Sequence, residues 1–159
     1  MGSDGAMIQA LLAEMVADWR AAGVRIAGVI AESHGLPDRV CGAGILRDIA
    51  TGKPRSIYID VPLNRSSCHL DATGVADACA AVVSQIPTCD LVVLNKFGKL
   101  EAMGEGLLPA FSVAIAAGKP VLTTVSGKHV NAWHKLVPNT VILAADKATL
   151  QKWWAGAKA

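Results

Sequence analysis

Residues 90–94, Asp90-Leu-Val-Val-Leu94, form a short run that is apolar after its first residue, and the chain leaves it abruptly for Asn95-Lys96-Phe97-Gly98-Lys99. A strand that is apolar at successive positions has to be covered on both faces, as in a parallel sheet flanked by helices. Open α/β sheets bind their ligands where such strands end, at the carboxyl edge. A nucleotide hydrolase usually offers a carboxylate to Mg²⁺ at that place, whereas this chain offers an amide, Asn95, and an ammonium, Lys96. These residues point to an anion site without a metal.

The remaining pattern agrees with a layered α/β fold. Residues 6–22 place Ile8, Leu11, Leu12, Met15, Val16 and Trp19 at helical spacing before Gly23, and residues 24–31 (VRIAGVIA) are a β-rich run. After a loop at 32–38, residues 40–49 and 55–61 read as two strands joined by Ala50-Thr-Gly-Lys-Pro54, a hairpin connection. Asp71 or Thr73 can cap a helix running to Gln85. Further helices are expected at 105–117, 131–136 and 147–154, and further strands at 119–125 and 140–144. The expected fold is α/β in three layers, a mostly parallel sheet flanked by helices with a small antiparallel hairpin insert. At 159 residues the chain suits one domain, 1–159, better than two.

Composition narrows the function. A net charge of +2 and few aromatics give neither a basic field nor a stacking platform, so nucleic acid is not an expected partner. No apolar run approaches the roughly 20 residues of a membrane span, and the amino terminus lacks a charged segment followed by an apolar signal core. A cytoplasmic protein without a membrane partner is therefore expected. Hydrophobic residues make up 52% of the chain and charged ones 18%, which leaves a lightly charged surface suited to a homo-oligomer. Cys41, Cys68, Cys79 and Cys89 lack CxxC pairing and read as reduced, mostly buried thiols, with Cys68 set apart by polar neighbours. His34, His69, His129 and His134 are scattered without zinc-pair spacing, so no metal site is expected.

If the strands are parallel, three polar segments meet at one sheet edge: the loop after Leu94, the loop after Val125 with Thr124 and Ser126, and Gly2-Ser-Asp-Gly5 leading into the first helix. A Gly-rich turn at a helix start offers free N–H groups, although GSDGA lacks the Gly-Lys-Ser/Thr of a phosphate-binding loop and equally suits a plain helix cap by Ser3 or Asp4. The stretch Asn64-Arg-Ser-Ser-Cys-His-Leu-Asp71 is the densest set of donors; it reads either as a solvated turn or as part of an oxyanion pocket. His69 has no nucleophile partner. Glu101 and Glu105 follow the Lys96 loop as helix caps, as partners for Lys99, or as an acid or base.

With GSDGA, NRSSCHLD, LNKFGKLEAMGEG and GKPVLTTV followed by Asn131-Ala-Trp133 in view, the chain resembles, over nearly its full length, a bacterial family of unknown function. That family is often encoded near molybdate-transport genes and is similar to the P-loop nucleoside-triphosphatases. The phosphate-loop Lys and the Mg²⁺-binding Asp are absent at matching positions, and the family's first strand should precede the Gly-rich loop at which this sequence begins, so either the sequence is truncated there or its sheet is built differently. The resemblance implies a P-loop-like domain that binds a tetrahedral oxyanion, molybdate or tungstate, a role for which no catalysis is required. Lys96 would supply the charge, and Ser66, Ser67 and Cys68 with backbone N–H groups the hydrogen bonds. Asn95, Arg65, His69, Lys99 and Thr124 or Ser126 are further candidates. A donor-only lining would favour molybdate, tungstate and sulfate, unprotonated at neutral pH, over phosphate, which needs an acceptor. The alternatives are a divergent nucleoside-triphosphatase or phosphotransferase using Glu101 or Glu105 to position water, and an interaction subunit in molybdenum handling.

Overall fold

In the computed structural model, which describes residues 3–33, 43–57 and 72–158, helix α1 (Ser3–Ala21) is followed by strand β1 (Ile26–Ser33), and then by β2 (Ala43–Asp48) and β3 (Pro54–Ser56). Helix α2 (Ala72–Gln85) leads to β4 (Leu91–Leu94), and α3 (Lys99–Ala102) and α4 (Leu108–Ala116) lead to β5 (Val121–Leu122). Helices α5 (Val130–Leu136) and α6 (Lys147–Ala157) complete the described elements. The sheet order is β3-β2-β1-β4-β5.

Strand β4 shows why its sequence is apolar at every position. Leu91 and Val93 face a core formed with Leu12, Met15, Val16 and Trp19 of α1 and Leu150 and Trp154 of α6. Val92 and Leu94 face the opposite core, built with Val75, Ala78, Cys79 and Val82 of α2 and Ala110, Phe111 and Ala114 of α4. Period-two alternation thus sends successive side chains into two different helix layers. Helix α1 supplies its layer with one stripe, and Gly23, at φ +88°, ends it in a conformation other residues adopt only with strain.

Strands β1, β4 and β5 are parallel, with Ile26 beside Leu91 and Val92 beside Val121. The expected hairpin is present: β2 and β3 are antiparallel, and the turn uses Gly52 at φ +76°. It joins the sheet through β2, which runs antiparallel to β1. Among the described residues, two of the four pairings are antiparallel, so the sheet is mixed instead of mostly parallel.

Three expected elements need correction. Residues 140–144 form no strand: Thr140 Oγ1 accepts the Trp133 indole N–H at 3.0 Å and Leu143 packs on the α1/α6 core, while Val141 and Ile142 are 70% and 84% exposed. Side chains at its two ends hold this segment, and without a ladder partner its β-prone composition has nothing to act on. The helix expected at 105–117 begins only at Leu108, because Gly104 (φ +89°) and Gly106 (φ +63°) turn the chain after α3. Of the strand expected at 119–125, Val121 and Leu122 pair in the ladder, and Val125 makes a single parallel bridge with Phe97.

Candidate functional site

Topology decides which polar groups gather at the carboxyl edge of the parallel strands. Helix α1 ends where β1 begins, so its amino-terminal half lies over the opposite edge, the one where β4 releases Asn95. Gln9 in α1 donates its Nε2 proton to the Asn95 carbonyl at 2.9 Å, and Thr124 Oγ1 donates to the same oxygen at 2.8 Å. The Phe97 N–H in turn donates to the Thr124 carbonyl at 2.8 Å. The start of α1, the loop after β4 and the segment after β5 are therefore joined through Asn95.

Most of the motif after β4 is devoted to holding that loop still. Phe97 is 2% exposed and meets Phe111 and Trp133 edge to face, with centroids 5.6 and 5.2 Å away, and those two rings meet each other at 5.6 Å. Such pairs contribute about 0.5–1.5 kcal/mol each beyond area burial. The Asn131-Ala-Trp133 segment thus serves the loop from below. Glu101, 8% exposed, accepts the Gly98 N–H on Oε1 and the Leu107 N–H on Oε2, both at 2.8 Å. It clamps the beginning of α3 to the beginning of α4. Gly106 completes the clamp, since a Cβ there would lie 2.0 Å from Glu101 Oε2.

Lys96 is what this scaffold presents. Its side chain is half-buried, and among the described residues it makes no hydrogen bond or ion pair. Two acids are engaged elsewhere: Glu101 by backbone N–H groups, and Glu32, at the carboxyl end of β1, by Arg47, whose Nη2 lies 3.0 Å from Oε1. The Arg47 guanidinium holds the Glu32 carboxyl below the usual carboxylate range. At the opposite edge, Arg25 and Asp90 pair at 2.9 Å and tie the start of β1 to that of β4.

The structure brings Asn95, Lys96 and Thr124 together. The single proton of Thr124 is committed to the Asn95 carbonyl, so its hydroxyl has none to give a ligand. Ser126, just after the Val125 bridge, is exposed, as is Lys99 on α3. Ser3 and Gly5 already belong to α1. Arg65, Ser66, Ser67, Cys68 and His69 lie outside the described residues, as do Met1, Gly2 and Cys41. Cys79 and Cys89 are buried free thiols, and burial pushes both upward from the ordinary thiol range.

Sequence reading missed Gln9, although it stands at the spacing of Leu12, Val16 and Trp19 in the buried stripe of α1, where a polar residue is out of place. Gln9 Oε1, Asn95 Oδ1 and Thr123 Oγ1 are buried without a hydrogen-bond partner among the described residues. This edge of the sheet therefore includes acceptors and is not lined by donors alone. A half-buried ammonium and an amide on a fixed loop can hold an anion, and no free acid–base pair stands among them. Among the described residues, no helix is long and apolar enough to cross a membrane.

The chain is 38% identical over 151 residues to the protein named Molybdenum import ATP-binding protein ModC 2 of Bradyrhizobium diazoefficiens. The alignment covers 92% of this chain but 17% of that protein, so the chain spans less than a fifth of its relative's length. No solved structure matches the chain. The family model described as "Protein of unknown function (DUF2478)" matches residues 1–153, and the chain belongs to that family.

Proposed function

We propose that this protein binds a tetrahedral oxyanion, molybdate or tungstate, at the carboxyl edge of its sheet, in the storage, delivery or sensing of molybdenum. The observation that carries the reading is Lys96: a half-buried cation with no partner among the described residues, held on a loop that Phe97 and Glu101 fix in place. The fold is read as a P-loop-like domain that has lost nucleotide hydrolysis, working in the cytoplasm as a homo-oligomer. Its relative is named for molybdenum import, which supports a metal oxyanion over other anions. Charge-assisted hydrogen bonds contribute about 1.5–3 kcal/mol each. Four or five of them, less the ordering cost, support micromolar binding at about 8 kcal/mol. Ser66, Ser67, Cys68, Arg65 and His69 are proposed as the remaining donors, with Asn95, Lys99 and Ser126 beside Lys96.

Titration calorimetry with molybdate, tungstate, sulfate and phosphate tests this. Micromolar binding of the two metal oxyanions, abolished or greatly weakened in Lys96→Ala, is the expected result; no heat from any of the four overturns it. The relative's designation as an ATP-binding protein favours a second reading, a divergent nucleoside-triphosphatase or phosphotransferase. Both oxygens of Glu101 already accept backbone N–H groups, which leaves Glu105 to position water. Mg²⁺-dependent release of phosphate from ATP or GTP is the result that would favour it.

A further inference from the structure

Gly98 is buried, yet its backbone does not ask for glycine, since φ −126° and ψ −154° are extended. Space is what excludes a side chain there. A Cβ at Gly98 would stand 2.7 Å from Lys96 Cε, with Lys96 Nζ and Glu101 Oε1 both at 3.6 Å. The lysine stem is therefore folded back over the glycine two residues ahead. Packing against that bare backbone, with no ion pair among the described residues, sets where the ammonium stands. Gly28 and Gly106 differ: there a Cβ would strike the Val93 carbonyl oxygen at 1.8 Å or the clamped Glu101 carboxylate at 2.0 Å, and φ is positive at both.

We propose that Gly98 is a positioning residue for the anion site: its missing side chain gives the Lys96 stem its resting place and so fixes the ammonium at the carboxyl edge. This rests on the reading of Lys96 as the anion-binding cation. Below 3.4 Å a methyl at Gly98 meets only the far end of a flexible side chain, so Gly98→Ala displaces the ammonium and leaves the fold nearly undisturbed. A binding group must be held to within about 0.5 Å to keep its contribution.

The test is a double-mutant cycle on the full chain with Gly98→Ala, Lys96→Ala and the double variant. Tungstate affinity and the urea midpoint are measured for each. Lysine side-chain ¹³C NMR after reductive methylation follows, the Lys96 signal being identified by its loss in Lys96→Ala. Gly98→Ala should weaken tungstate binding by about tenfold to a hundredfold, the worth of one charge-assisted contact. The Lys96 signal should shift, the midpoint should hold, and the double variant should bind no more weakly than Lys96→Ala. Unchanged affinity in Gly98→Ala overturns the proposal, as does full additivity in the double variant. If Gly98→Ala is destabilised, recovery in the double variant supports the contact and failure to recover overturns it. If wild-type protein binds neither tungstate nor molybdate, the function proposed above falls, and the Lys96 signal alone decides the positioning claim: moved in Gly98→Ala supports it, unmoved overturns it.

Discussion

Replacing Glu101 by Gln separates a structural carboxylate from a catalytic one. The wild-type side chain is 8% exposed and accepts two backbone N–H groups, from Gly98 and Leu107, each at 2.8 Å. Bonds to a charged acceptor contribute about 1.5–3 kcal/mol each, and an unsatisfied buried donor costs about 1–3 kcal/mol. A glutamine oxygen can keep one of the two bonds in weaker, neutral form, while its NH₂ faces the other N–H donor to donor. The expected loss is about 2–4 kcal/mol, a large share of the roughly 5–15 kcal/mol available to a domain. With a urea slope of about 2 kcal/mol per molar, the midpoint should fall by about 1–2 M at unchanged slope. A water-positioning Glu101 would give the opposite pattern: an unmoved midpoint and a lost phosphate-release activity. A midpoint shift below about 0.3 M refutes the clamp.

Gly28 sits at φ +148°, and a Cβ there would lie 1.8 Å from the Val93 carbonyl oxygen in the neighbouring strand. Gly28→Ala should cost about 4 kcal/mol or more, or prevent folding, whereas Gly23→Ala, at φ +88° in open space, should cost about 1–2 kcal/mol; equal urea midpoints for the two variants would contradict the sheet packing. Asp90 is held below the usual carboxylate range first by the Arg25 side chain and then by the Arg25 backbone N–H. A depressed folded-state value means stability that is present above the ordinary carboxylate pKa and is lost as pH falls through the lower folded value. The midpoint difference between wild type and Asp90→Asn should therefore stay constant above about pH 5 and shrink below about pH 4. A difference that grows on acidification would contradict this pairing.

The elements read most directly from sequence are those whose burial pattern is local. The stripe of α1, the continuous apolar run of β4 and the Gly-Lys-Pro turn of the hairpin each state their environment within a few residues. Residues 140–144 carry β-prone side chains, but a strand needs a ladder partner, and whether one is available depends on the opposite edge of β5. The expected 105–117 helix is present from Leu108 onward; it lacks its first residues at Gly106, whose positive φ and missing side chain leave room for the Glu101 carboxylate, a contact between side chain and backbone that no residue spacing announces. At the site, Lys96 was legible because polarity changes sharply where β4 ends. The commitment of the Thr124 proton to Asn95 and the part played by Gln9 were not, because each is a matter of a few ångströms between segments far apart in the chain, and neither was the fit of Lys96 over Gly98, which the path of the lysine side chain decides and residue order does not.

A crystal grown with tungstate, located by its anomalous scattering, bears most directly on the claim that Lys96 anchors an oxyanion. The account predicts a strong peak within hydrogen-bonding distance of Lys96 Nζ at the carboxyl edge of β4, absent from crystals of Lys96→Ala. Tungstate bound at full occupancy elsewhere, with nothing beside Lys96, would contradict it.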